Sequence, residues 1–239
     1  MQTWMSRVLD LIWPRRCEIC SRAVGRPGRH VCGECLMRLQ FAPQDGCAVC
    51  SREIASAGRE LLCEECAGPA SPHFDRAACA MHFDGFARQM VLDYKFNGHI
   101  WLRDDFVDFL EAAARSRFKV PDVDLVLPMP LTFVHRFDRG YDQCDMLARG
   151  LAARIDRAFC GTALRRTGNP RRQAGLSEEM RRENVKGTFR VARPELVAGR
   201  TLLVVDDVMT TGATFSECAR ALKAAGAWRV WVVALARSV

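Results

Sequence analysis

The stretch LLVVDDVMTTGAT, residues 202–214, joins four apolar residues to two aspartates, and then to two threonines and a glycine. The apolar run predicts a strand over 201–205, buried on both faces of a parallel sheet. It does not account for Asp206 beside Asp207, because adjacent carboxylates repel unless a positive or hydroxyl-rich group lies next to them. The pair has a use at the carboxyl end of a central parallel strand, where open α/β sheets bind ligands. Gly212 permits a tight turn. The amides of Thr210, Thr211, Gly212, Ala213 and Thr214, with the N-terminus of a following helix, then form a cradle for an anion. The helix dipole adds ~0.3–1 kcal/mol per charge. A ribose 5-phosphate fits both halves, with its phosphate in the cradle and its 2′- and 3′-hydroxyls donating to Asp206 and Asp207. Two other readings are an acidic pair of the Walker-B kind and a solvated turn. The first lacks any GxxxxGK[ST] loop in the sequence.

Outward from this stretch the chain alternates strands and helices. Strands are expected at 77–83, 123–127 (stopped by PMP), 161–166 and 228–236. Helices are expected at 86–96, 100–116, 141–157 and 214–225, the second on the spacing of Leu102, Phe106, Phe109, Leu110 and Ala113. This order implies an α/β fold, a parallel sheet covered by helices on both sides. The stretch AGPASPHFD (67–75) reads as a linker. It divides a small N-terminal module (1–70) from the α/β part (71–239), a division that 239 residues allow.

The small module holds eight of the twelve cysteines, in Cys-x-x-Cys pairs at 17/20, 32/35, 47/50 and 63/66. The second unit starts thirty residues after the first. Tetrahedral zinc takes four thiolates, and two such knuckles supply them. The expected ligand sets are Cys17, Cys20, Cys32 and Cys35, and Cys47, Cys50, Cys63 and Cys66, with interleaved pairing and iron–sulfur ligation as alternatives. The module has few large apolar residues, so metal must replace a core. Structural zinc contributes about 10–16 kcal/mol in small peptides. Reduced thiols and the lack of a leader-like segment point to the cytoplasm. Residues 4–13 read as a short amphipathic docking helix, too short to span a bilayer. Cys79, Cys144, Cys160 and Cys218 read as small buried residues.

The net charge of +7 is local. Residues 165–193 carry nine Arg/Lys against three Glu, whereas residues 1–70 carry nine Arg against eight Asp/Glu. A single-strand nucleic-acid binder combines a basic groove with stacking aromatics, so direct DNA contact would fall on 165–193 and not on the cysteine module.

LLVVDDVMTTGAT resembles the phosphoribosyl pyrophosphate (PRPP) motif of type I phosphoribosyltransferases. YKFNGH (94–99), VDLVLPMPLTFVHRFDRGYDQ (123–143), RRQAGLSEEMRRENVKGTF (171–189), LAR (235–237) and the cysteine ribbons resemble, in order, blocks of the ComF-type competence proteins. The likeness covers nearly the whole chain. One departure is RGYDQC where that family has RGFNQA, which adds the negative charge of Asp142.

The resemblance implies a type I phosphoribosyltransferase-like sheet behind a double zinc ribbon, PRPP as ligand and a magnesium ion on its oxygens. It implies that the loop Leu127–Leu131, with Pro128, Met129 and Pro130, holds pyrophosphate through backbone amides. The Arg-rich segment would close over the leaving pyrophosphate, with Arg181 and Arg182 stabilising its charge. Arg136 and Arg139 are candidates for the same part, and Lys95 for a further catalytic one. It also implies a role in natural competence or DNA uptake, with protein partners docking on the zinc ribbons. Phosphoribosyl transfer, ribose-phosphate sensing and single-stranded DNA binding are the three functions to be separated. The sequence offers no general base and no acceptor-recognition signature.

Overall fold

The computed structural model describes residues 15–25, 28–43, 45–54, 61–131, 141–167, 183 and 185–238. The expected docking helix at 4–13 lies outside them. In chain order the elements are α1 (Gly33–Leu36), α2 (Glu64–Ala67), β1 (Arg76–His82), α3 (Gly85–Phe96), α4 (Arg103–Arg117), β2 (Leu125–Pro128), α5 (Gln143–Arg154), β3 (Ala158–Phe159), β4 (Leu164–Arg166), β5 (Phe189–Val191), β6 (Thr201–Met209), α6 (Ala213–Ala224) and β7 (Arg229–Arg237).

Five strands form a parallel sheet in the order β1-β7-β6-β2-β3. Side chains alternate across a strand, and the two faces of β6 and β7 bury different helices. Leu203, Val205, Val233 and Leu235 pack with Tyr94, Phe106, Leu110 and Leu147 of α3, α4 and α5. Leu202, Val204, Val230 and Val232 pack with Phe215 and Leu222 of α6. The sheet is therefore covered on both sides, as the alternation requires.

Three features differ from expectation. β6 does not stop at Val205. Pairing with β7 continues through Val208↔Ala236 and Met209↔Arg237, so Asp206 and Asp207 lie inside the strand. The strand expected at 161–166 is shorter and leaves the main sheet. Leu164–Arg166 pairs antiparallel with Phe189–Val191, making a separate two-stranded ribbon. The edge strand beyond β2 is instead β3, two residues long, too short for a period-2 pattern to reveal.

The cysteine module is tied into this core. Edge strand β1 would present unpaired backbone groups, a template for aggregation. The chain between the ribbons and the first knuckle of the second ribbon cover it: Ala42 N–H donates to Ala80 O (3.0 Å), His82 N–H to Gln40 O (2.9 Å) and Ala77 N–H to Val49 O (2.6 Å). Cys17, Val31, Cys35 and Leu39 join the same apolar cluster as α3 and α4. The segment read as a linker is also anchored, with Phe74 3% exposed and Asp75 Oδ2 accepting from Val230 N–H at 2.7 Å.

Candidate functional site

The site is assembled where β6 ends. Asp206 and Asp207 come from β6, Lys95 from the last turn of α3, Cys144 from the first turn of α5 and Arg166 from β4. Lys95, Arg166, Asp206, Asp207, Thr210 and Thr214 line one cavity of about 380 Å³, floored by Met129 and Pro130.

The two carboxylates have different surroundings. Asp207 is buried, and both its oxygens take Lys95 Nζ, at 2.8 and 2.6 Å. Burial disfavours the lysine charge, but Asp207 and then Asp206 outweigh it and hold the Lys95 pKa above the ordinary value. A position in the last turn of α3 also suits a cation. Asp206 Oδ1 accepts from Asp207 N–H (2.8 Å) and from the Cys144 thiol (3.2 Å), while its Oδ2 accepts from no described residue. Burial raises its pKa to about 7, with Asp207 adding to the rise and Lys95 opposing it. Lys95 is thus the positive group that lets adjacent aspartates coexist.

The cradle has the expected form at the glycine. Gly212, at φ +79°, takes the left-handed conformation that side chains resist and is the N-cap of α6. Having no side chain, it leaves the first-turn amides uncapped, apart from Ala213 N–H, which Thr211 Oγ1 accepts at 3.3 Å. Thr210 is exposed and Thr211 and Thr214 are half-buried, so their hydroxyls are reachable.

The loop after β2 departs from expectation. Pro128 and Pro130 have no N–H, and Met129 N–H is spent on Val205 O at 2.8 Å. Of Pro128–Leu131, only Leu131 can offer an amide, so this loop cannot hold pyrophosphate by a row of backbone donors. Arg136, Arg139, Arg181 and Arg182 lie outside the described residues. Asp142, the departure in RGYDQC, caps α5: its Oδ1 accepts Asp145 N–H at 3.0 Å, a task asparagine performs equally well.

Four site features were missed in the sequence. Arg166 lines the cavity, stacked 5.3 Å from the Phe189 ring. Cys144 is buried, as expected, but its thiol also reaches Asp206. Tyr141 Oη donates to Tyr94 O at 2.5 Å, tying the RGYDQC block to the residue before Lys95. Gln143, beside Cys144, is fully buried, and both polar atoms of its side chain lack a partner among the described residues. Arg166 at the start of the basic stretch was the only one with a readable signal.

The cysteines form two separate clusters, 17/20/32/35 and 47/50/63/66, each with its sulfurs within 4.8 Å of one another. This settles the pairing as sequential. A tetrahedron with Zn–S of about 2.3 Å has edges of about 3.8 Å. Cys20 and Cys32 Sγ lie 3.7 Å apart, and Cys50 and Cys63 Sγ 3.6 Å. Cys32 and Cys63 N–H point at Cys17 and Cys47 Sγ, both at 3.4 Å, as suits thiolate ligands. The residue after the first knuckle of each ribbon, Ser21 and Ser51, has φ of +58° and +62°. The repeat is thus geometric as well as sequential, and the donor sets suit structural zinc.

Residues 8–67 match the double zinc ribbon domain family and residues 143–238 the phosphoribosyl transferase domain family. Sheet order, strand-end site and cysteine clusters together define a phosphoribosyltransferase-type α/β protein carrying a double zinc ribbon. The chain is 30% identical to DNA utilization protein YhgH of Escherichia coli (strain K12), across 87% of this chain and 97% of the relative. It is 28% identical to Competence protein F of Haemophilus influenzae, across 87% and 96%. The chain belongs to the ComF/YhgH family. Among solved structures, adenine phosphoribosyltransferase from Thermoanaerobacter pseudethanolicus is 16% identical, with a TM-score of 0.37 over 59% of this chain and 83% of that one. Glutamine PRPP amidotransferase from B. subtilis is 21% identical at a TM-score of 0.37, over 55% of this chain, which spans only 25% of the amidotransferase.

Proposed function

We propose that the cavity at the end of β6 binds PRPP or a closely related ribose phosphate. The observation that carries this reading is the gathering of Asp206, Asp207, Thr210, Thr214, Lys95 and Arg166 around one cavity of about 380 Å³ beside an uncapped helix N-terminus. The 5-phosphate sits against the loop Thr210–Thr214, where amides and hydroxyls converge on it. The ribose hydroxyls donate to Asp206, whose Oδ2 has no other partner among the described residues, and share Asp207 with Lys95. Arg166 and Lys95 supply fixed positive charge toward the departing pyrophosphate, as preorganised catalysis requires. The residues do not cage magnesium, which needs few protein ligands. Asp206 Oδ2 and the ligand's own oxygens suit it, and when bound it would neutralise pyrophosphate.

Phosphoribosyl transfer to an acceptor is the favoured activity, and sensing without turnover the alternative. The names of the relatives, a competence protein and a DNA utilization protein, support a role in DNA uptake, with the ribbons as docking modules in a cytoplasmic protein whose α/β part spans 71–239. Among the described residues no helix is long and apolar enough to cross a membrane.

PRPP with magnesium should raise the melting temperature of the zinc-loaded protein, and the Asp206→Asn/Asp207→Asn variant should lose that rise. An unchanged melting temperature in the wild type would discard the reading. Pyrophosphate release on adding candidate acceptors separates transfer from sensing. DNA binding that is steeply salt-dependent and indifferent to the aspartate changes would favour the nucleic-acid adaptor.

A further inference from the structure

Arg237, the last residue of β7, is 6% exposed, and among the described residues no carboxylate pairs with it. Its Nη1 donates to Cys50 O at 2.5 Å and lies 3.1 Å from Met209 Sδ. A buried cation needs a counter-charge. The second cysteine cluster has one to give. Four thiolates around a divalent zinc ion are a net dianion, and Arg237 grips the knuckle of that cluster. Arg117 reaches the same knuckle from α4, donating to Cys47 O at 2.6 Å.

The same arginine reaches the residue just before the cradle. Met209 is the last residue of β6, and Thr210–Thr214 follow it directly. A second connection leaves the cluster at Cys66. The chain beyond it brings His73 N–H to Ser216 Oγ (3.0 Å) and sets the Phe74 ring beneath Gly212, where an added Cβ would meet it at 3.6 Å. The first cluster contacts other elements: Arg29 pairs with Asp108 of α4, and Trp101 with Glu18.

We propose that the second zinc cluster, through Arg237, holds the Thr210–Thr214 loop in its binding conformation, so that loss of that ion, but not of the ion in the first cluster, disorders the cradle. The functional consequence rests on the ribose-phosphate reading above. The coupling itself does not, because it is read without ligand.

The test uses the full, zinc-loaded chain and two measurements. Zinc release to a colorimetric chelator is followed in wild type, Arg237→Gln, Arg237→Lys and, as a control at the first ribbon, Arg22→Gln. Alkylation with peptide mapping identifies which cysteines have opened. Removing an outer-shell partner costs about 10–100-fold in metal affinity. Arg237→Gln should therefore release one of two zinc equivalents at least about tenfold faster, from Cys47, Cys50, Cys63 and Cys66, with Arg237→Lys intermediate and Arg22→Gln unchanged. Amide exchange of residues 208–216 should rise in step with loss of that equivalent, in wild type as in the variant, so the test survives if Arg237→Gln folds poorly. Wild-type release rates in Arg237→Gln, or opening of the second cluster with no change in exchange at 208–216, would overturn the proposal. If wild type shows no PRPP-induced rise in melting temperature while exchange still follows zinc loss, the ribose-phosphate reading fails and the coupling stands.

Discussion

Lys95 and Asp207, 112 positions apart in the chain, form an ion pair at 2.6 Å across the mouth of the site. The aspartate is 6% exposed and the lysine 25%. The pair joins α3 to β6 and places a cation against the acidic strand end. It makes Lys95 part of the site's charge balance.

Breaking the pair on one side leaves the other charge stranded. Fully buried pairs cost about 3–5 kcal/mol when one partner is removed. With Lys95 a quarter exposed, Lys95→Met and Asp207→Asn should each cost about 2–3 kcal/mol in urea unfolding. The double variant should cost less than the two singles together. Simple additivity would mean the pair contributes no coupling.

Stability should fall as pH rises through the titration of Asp105. This carboxyl is buried between α4 and the first ribbon, where it accepts His30 N–H at 2.8 Å. Burial raises its pKa to about 6. The N–H groups of His30 and Val31 and the Arg29 charge oppose that rise, and Asp108 adds to it. The folded pKa is above the unfolded one, so the native state binds the extra proton. The contribution is complete below about pH 4 and lost on rising through about pH 6. Urea unfolding of wild type and Asp105→Asn at matched pH should show the variant gaining relative stability between those limits, then levelling off. A constant difference would show that Asp105 titrates normally.

Ser21 and Ser51 occupy left-handed backbone at matching knuckle positions. Such conformations cost a side-chain-bearing residue roughly 1–2 kcal/mol, and glycine escapes that cost while gaining some unfolded-state entropy. Ser51→Gly should therefore stabilise the zinc-loaded protein by about 0.5–1 kcal/mol. A loss of stability in denaturant titration would mean that the serine side chain contributes more than its backbone costs.

Stripping zinc should release two equivalents per chain and expose the edge of β1, which the chain between the ribbons now covers. Light scattering should then report assembly of the stripped protein, reversed on adding zinc before aggregates mature. A stripped chain that stays monomeric would show that the edge is protected by something other than the metal-held module.

Much of this was legible in the sequence because short-range patterns carry it. The apolar run before Asp206 fixed a buried parallel strand, and Gly212 followed by a helix pattern fixed the turn. Knuckle spacing alone named all eight cysteine ligands. Legibility failed where a residue's role depends on what packs against it. Arg166 is one arginine among many until β4 pairs with β5 and turns it into the cavity. The spacing of Pro128 and Pro130 did carry a warning: two prolines remove two donors, and the ladder takes the amide between them.

Sequence alone determined most element types, the cysteine knuckles and the turn at Gly212, because backbone sterics, hydrophobic periodicity and metal-ligand spacing act over a few residues. Tertiary structure decided which cysteines cluster together, that Lys95 neutralises Asp207, that β6 runs on past its acids and that the second ribbon lies close to the cradle. These depend on approach between segments far apart in the chain. Such contacts arise from sheet order and burial, whose energies belong to the folded whole.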